Sequence, residues 1–199
     1  IYGRSHQERF SEDEAGILDS LDVRNVYAVA KRAAENLCVC YGQRGSVCKI
    51  VRPGQIMGCG IALDDGRLHI DFISQILKSD KIVLKGDGTP VRTFIYMTDA
   101  IAGMLYVMLE GENAQAYNIC TEMGEASVLE LAQTMAGQVK GKSIQVDFNR
   151  ETRKNDPAVK HAVSRVCTSS SKLSSLGWSE QVSLEEACRR MMTYYGIPL

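Results

Sequence analysis

The apolar positions of this chain switch repeatedly between helical spacing and short strand-like runs. Val26, Val29, Ala30, Ala33, Ala34 and Leu37 recur near the 3.6-residue period, so residues 23–44 are predicted to form a helix that stops near Gly42, with Gly45 just beyond. SVCKIVRPG (46–54) reads as a strand ended by Pro-Gly, and GQIMGCG as a continuing loop. LHIDFISQILK (68–78) returns to helical spacing. KIVLKGDG (81–88) reads as a strand and turn. VRTFIYM (91–97) reads as a strand leading into a helix through Leu109, capped by Thr98 or Asp99. AYNIC (116–120) and SIQVDFN (143–149) are further strands. Between them, SVLELAQTMAGQV (127–139) is a helix whose Ser127 and Glu130 form a capping box. TSSSKLSSLGW (168–178) is a short helix ending at Gly177, and SLEEACRRMMTYYG (183–196) is a last helix opened by Ser183 with Glu186 three residues on. Residues 5–22 are polar and acidic and read as a loop. Strands and helices alternate, which makes the class α/β.

Composition narrows the partners. The 199 residues are 45% hydrophobic and 24% charged with a formal net charge of −1, ordinary values for a globular protein. Near-neutral charge leaves no electrostatic footprint for nucleic acid. No run approaches the roughly 18 apolar residues of a membrane span. The seven cysteines are odd in number and irregular in spacing, and Cys38 and Cys40 stand two apart in a helical stretch, where they do not face each other. With three histidines and no zinc-type spacing, no metal site is expected, and the cysteines read as reduced, mostly buried thiols of a cytoplasmic protein.

The candidate chemistry lies in the first helix. Tyr27 and Lys31 are one turn apart and share a face. A phenol gives up its proton only near pH 10, but a neighbouring ammonium stabilises the phenolate. Such a pair can take a proton from a substrate alcohol while hydride leaves the same carbon. The same spacing also arises by chance in many helices, so the pair alone leaves ordinary packing open.

Further blocks carry a resemblance. YAVAKRAAE, the opening IYG, VRPGQIMGCG, GDGTPVRTFIYMTDAI, AYNIC and SSLGWSEQVSLEEA, in this order, resemble the extended short-chain dehydrogenase/reductase family, in its NAD-dependent nucleotide-sugar epimerase, dehydratase and decarboxylase branch. The blocks cover nearly the whole chain. The Asp-Gly-Arg and Gly-Asp-Gly segments lean towards its UDP-glucuronate decarboxylase and dTDP-glucose dehydratase members.

The resemblance implies the C-terminal part of a Rossmann-type sheet plus a small α/β substrate-binding domain. Residues 1–57 would be the remnant of the Rossmann domain with the Tyr-Lys helix, and 58–199 mainly the nucleotide-sugar portion, with some segments returning to the sheet. It implies Tyr27 and Lys31 as the catalytic pair, which with Pro53 also contacts NAD, and Gln55, Arg67 and Arg92 as substrate contacts. Gln55 stands where the family commonly has an asparagine. Arg92 would bind the diphosphate, chemistry that suits a guanidinium, while Arg67 could equally reach a phosphate or cap a helix. Asp99 is expected to be structural, and His161 a solvated loop residue. No Gly-rich turn follows a strand, and the catalytic Ser/Thr would fall before Ile1, so the chain is expected to be a fragment. The implied partners are a nucleotide-diphosphate sugar, a missing N-terminal Rossmann half and a second copy, packed through the small side chains Ala30, Ala33 and Ala34 with Leu37, some of which must instead face the core. The alternatives are a catalytically incompetent fragment that binds nucleotide sugar or only dimerises, and an α/β binding module unrelated to sugars.

Overall fold

The computed structural model describes residues 1–3, 9–149 and 165–199. The strands are β1 (Arg9–Phe10), β2 (Ile50–Pro53), β3 (Gln55–Met57), β4 (Lys81–Leu84), β5 (Val91–Tyr96), β6 (Ala116–Ile119), β7 (Glu125–Ser127), β8 (Gln145–Phe148) and β9 (Arg165–Thr168). The helices are α1 (Val26–Gln43), α2 (Leu68–Lys78), α3 (Met97–Glu110), α4 (Val128–Gln138), α5 (Ser171–Ser174) and α6 (Leu184–Tyr194), and a 3-10 turn at Val23–Asn25 precedes α1.

The ladders are almost all parallel, as the α/β expectation requires. The largest sheet runs β1-β9-β5-β3, with β7 antiparallel on β5, while β2 pairs with β6 and β4 with β8. Strand β3, expected as loop, forms because Gln55, Ile56 and Met57 pair in register with Phe94, Ile95 and Tyr96. Strands β1, β7 and β9 had no prediction either. Each has two to four residues and exists through pairing with β5 or with one another rather than through its own pattern. Gly124, just before β7, is required there. A Cβ would come within 1.8 Å of the Phe94 carbonyl oxygen, because the backbones touch through a Phe94 N–H to Gly124 O bond of 2.8 Å.

Two apolar cores result. Met57, Phe72, Ile73, Ile76, Leu84, Leu131, Met135 and Met191 belong to the larger, which joins α2, α4, α6 and β4. Ile95, Ala100, Val107, Tyr117, Ile119, Leu173 and Trp178 form the smaller, with Val51 and Ile56 packed against it. Helix α2 occupies the predicted 68–78 and buries Ile70, Phe72, Ile73 and Ile76 of its apolar stripe, while Leu77 stays exposed.

Caps follow the sequence in part. Ser127 and Glu130 close the reciprocal box on α4, Ser127 Oγ accepting from Glu130 N at 3.1 Å and Glu130 Oε2 from Ser127 N at 2.7 Å. On α6, Ser183 accepts from Glu186 N, but the Glu186 carboxylate is taken by Arg189 and Arg190 at 2.6 Å each. Those two guanidiniums hold its pKa down at about 2. Neither Thr98 nor Asp99 caps α3: its N-cap is Tyr96, with no side-chain bond. Asp99 lies in the first turn, buried, and Oδ2 accepts from Gln181 N and Val182 N, both at 2.9 Å. Through these two bonds it ties down the loop before α6 instead of capping α3.

The thiols differ from expectation. Three of the seven cysteines, Cys120, Cys167 and Cys188, are buried, whereas Cys38, Cys48 and Cys59 are half-buried and Cys40 is exposed. Burial pushes the Cys120 and Cys188 thiols up to about 12. Among the described residues no helix is long and apolar enough to cross a membrane.

Candidate active site

Helix α1 has two faces, and no residue on it is fully buried. Val29, Arg32, Glu35, Cys38 and Val39 form the half-buried side. The expectation that some of Ala30, Ala33, Ala34 and Leu37 face the core is corrected: all four are exposed, Leu37 at 58%. The reason is that the inner side is held by polar anchors rather than by apolar packing. Arg32 donates to the carbonyls of Ile1 (2.8 Å), Tyr2 (3.1 Å) and Gly16 (2.9 Å). Glu35 takes a two-pronged ion pair from Arg52 of β2, at 2.7 and 2.8 Å. Arg52 also donates to the Tyr2 hydroxyl at 3.1 Å and to Glu12 O at 2.9 Å, and the Tyr2 hydroxyl in turn bonds Asn118 Oδ1 on β6. Burial opposes the charge on Arg52, but the Glu35 carboxylate and the Tyr2 hydroxyl outweigh it and hold its pKa above the ordinary value.

Tyr27 and Lys31 stand on the outer side. Tyr27 is 71% exposed, and the Lys31 ammonium lies 5.5 Å from the centroid of its ring. The two side chains are therefore together, in a cation–π contact, with the phenol accessible. A cavity of about 390 Å³ lies on the other side of the helix, lined by Tyr2, Arg32, Glu35 and Arg52 among others, and includes neither.

A second cleft, of about 410 Å³, is lined by Gly54, Gln55, Ile56, Arg67, Leu68 and His69. It brings together two of the three expected substrate contacts, because β3 carries Gln55 to the end of α2, where Arg67 is the N-cap. Arg67 offers no side-chain cap bond and instead pairs with Asp65 at 3.0 Å, so the capping reading of Arg67 is not what the structure has. Arg92, on β5, is half-buried; Nη1 donates to Val91 O at 2.7 Å, and burial lowers its pKa. Pro53 is exposed at the end of β2, outside both cavities. His161 lies outside the described residues.

Sequence reasoning missed His69 and the Arg52–Glu35–Tyr2–Asn118 network. His69 left a legible signal, a lone polar ring inside the apolar run of α2. The network left none, because its bonds join residues 17, 50 and 116 positions apart that have no shared motif.

The family model described as "NAD dependent epimerase/dehydratase family" matches residues 1–120, more than half of the chain. The chain belongs to this NAD-dependent epimerase/dehydratase family. UDP-glucuronic acid decarboxylase 2 of Arabidopsis thaliana is 30% identical over 193 residues, 96% of this chain and 41% of that protein. The UDP-glucuronic acid 4-epimerase of Bacillus cereus, solved in complex with NAD, is 26% identical with a TM-score of 0.75 over 98% of this chain and 56% of that one. A UDP-N-acetylglucosamine 4-epimerase of Methanobrevibacter ruminantium shares the fold with a TM-score of 0.80 at 20% identity, over 98% of this chain and 59% of that one. The chain spans about half the length of the relatives it matches. Its parallel sheets and covering helices are thus one part of the Rossmann-type architecture of the family.

Proposed function

We propose that this chain is the C-terminal part of an NAD-dependent enzyme acting on a nucleotide-activated sugar, with Tyr27 and Lys31 as its proton-transfer pair. The observation that carries the reading is the accessible phenol with an ammonium beside it, on a helix inside the family-matched segment. The Tyr27 phenolate, stabilised by the Lys31 ammonium, takes the proton of the sugar C4 alcohol and becomes the phenol, and Lys31 also offers a donor to a cofactor ribose hydroxyl. The exposed hydroxyl and amine are a donor set that fits such a ribose, and Pro53 would line its surroundings. NAD, when bound, supplies the hydride acceptor. Oxidation at C4 then opens the way to epimerisation, dehydration or decarboxylation. Gln55, Arg67 and Arg92 are assigned to the nucleotide sugar, Arg92 to its diphosphate.

In this reading the pyrophosphate-binding turn lies in a Rossmann half outside these 199 residues, and the chain alone is inactive. Residues 1–57 belong with that half and 58–199 mainly with the sugar nucleotide. The exposed stripe Val26, Ala30, Ala33, Leu37 and Tyr41 on α1 is the surface through which two copies would pair.

Calorimetric titration of the full-length protein with UDP and dTDP sugars tests the reading. Binding that Arg92→Ala abolishes is the expected result; wild-type protein that binds none of them removes it.

A further inference from the structure

The cleft at the N-terminus of α2 is built for more than Gln55 and Arg67. Helix α2 has 11 residues and its N-cap, Arg67, makes no side-chain cap bond, so the first-turn amides and the positive end of the helix dipole, with Asp71 in that turn, stand at this end of the cleft. Arg67 adds a guanidinium at the same end. His69, within that first turn, is 3% exposed and lines the cleft. Its Nε2 has no hydrogen-bond partner among the described residues. A buried polar nitrogen left unpaired is costly, and the cleft that His69 lines is the open space beside it. The charged groups that act on the imidazole are Arg67 and Asp65. Burial first, and then the Arg67 charge, lower its pKa to about 4, so it meets a ligand as a neutral ring.

We propose that His69 is a ligand-contacting residue, its Nε2 hydrogen-bonding an anionic oxygen, phosphate or carboxylate, of the nucleotide sugar seated in this cleft. The assignment rests on the nucleotide-sugar reading above. It adds a directional contact to the charge of Arg67 and the helix end. A neutral ring contributes a bond of fixed direction where a second cation would contribute only attraction.

The test is calorimetric titration of the full-length, NAD-loaded protein with UDP, UDP-glucose and UDP-glucuronate, using wild type, His69→Leu and His69→Asn. The expected result is an affinity loss of about 10-fold in His69→Leu, the size of one hydrogen bond to a charged group, partly restored in His69→Asn. Equal loss for all three ligands supports the proposal with a phosphate oxygen as partner; loss confined to UDP-glucuronate supports it with the carboxylate. Unchanged affinity for all three overturns the proposal while leaving the nucleotide-sugar reading standing. Wild-type protein that binds none of the three overturns both. A second measurement avoids any folding defect: in wild-type protein labelled at the histidine ring nitrogens, the His69 Nε2 resonance should shift on saturation with UDP-glucuronate, and a resonance that stays in place overturns the proposal.

Discussion

Replacing Glu35 with glutamine should detach α1 from the rest of the molecule. The substitution keeps the side-chain shape and removes the charge that balances Arg52. The side chains of the pair are only 16% (Arg52) and 20% (Glu35) exposed, and the contact is two-pronged at 2.7 and 2.8 Å. Breaking one partner of a fully buried pair costs about 3–5 kcal/mol, because the remaining charge is stranded, whereas exposed pairs contribute about 0–1 kcal/mol. One-fifth exposure places Glu35→Gln below the buried range, at about 2–3 kcal/mol. For a chain of this size that corresponds to a fall in melting temperature of roughly 5–10 °C. Urea denaturation followed by circular dichroism reads the stability, and hydrogen exchange of the α1 amides reads whether the loss is local to that helix. The double variant Glu35→Leu with Arg52→Met should recover most of the loss, since no charge is then left unpaired. A cost below about 0.5 kcal/mol for Glu35→Gln would refute the reasoning, because the pair would then behave as a solvated surface contact.

Asp99→Ala removes the acceptor of two backbone N–H groups at 2.9 Å and should cost about 2–3 kcal/mol in urea denaturation, with Asp99→Asn intermediate. His69 should make stability acid-sensitive. Its folded pKa of about 4 lies below the ordinary 6.5, so the unfolded chain binds the proton first, and stability falls as pH drops from about 6.5 towards 4. The loss attributable to His69 reaches at most about 3 kcal/mol, and urea midpoints measured from pH 7 to pH 4 should show it in wild type but not in His69→Leu. Leu37→Lys should change the stability of the isolated chain by less than about 0.5 kcal/mol, since Leu37 is 58% exposed, while sedimentation of the full-length protein should show two copies coming apart.

The helices were legible in the sequence because each carries its own period or cap. Helix α2 keeps the 68–78 span of its apolar stripe, and Ser127 with Glu130 marks the start of α4 within a residue. Three of the short strands were not, since β3, β7 and β9 are defined by what they pair with on β5, and their three or four residues carry no pattern of their own to announce a strand. Tyr27 and Lys31 could be paired from their spacing alone, and their contact at 5.5 Å follows from helix geometry. Their exposure could not be read. An apolar stripe on α1 suggested burial, but the helix is anchored by Arg32 and Glu35, which look like surface charges in the sequence. The cleft was half legible: Gln55 and Arg67 came from the resemblance, whereas His69 required knowing that the start of α2 lies beside β3.

The central claim is that the Tyr27 hydroxyl carries the proton. Turnover of a nucleotide sugar by full-length Tyr27→Phe protein, measured beside its ligand affinity and melting curve, tests it most directly. The account predicts turnover lowered by about 100-fold to 10,000-fold, with binding and melting unchanged. Turnover at the wild-type rate would contradict it.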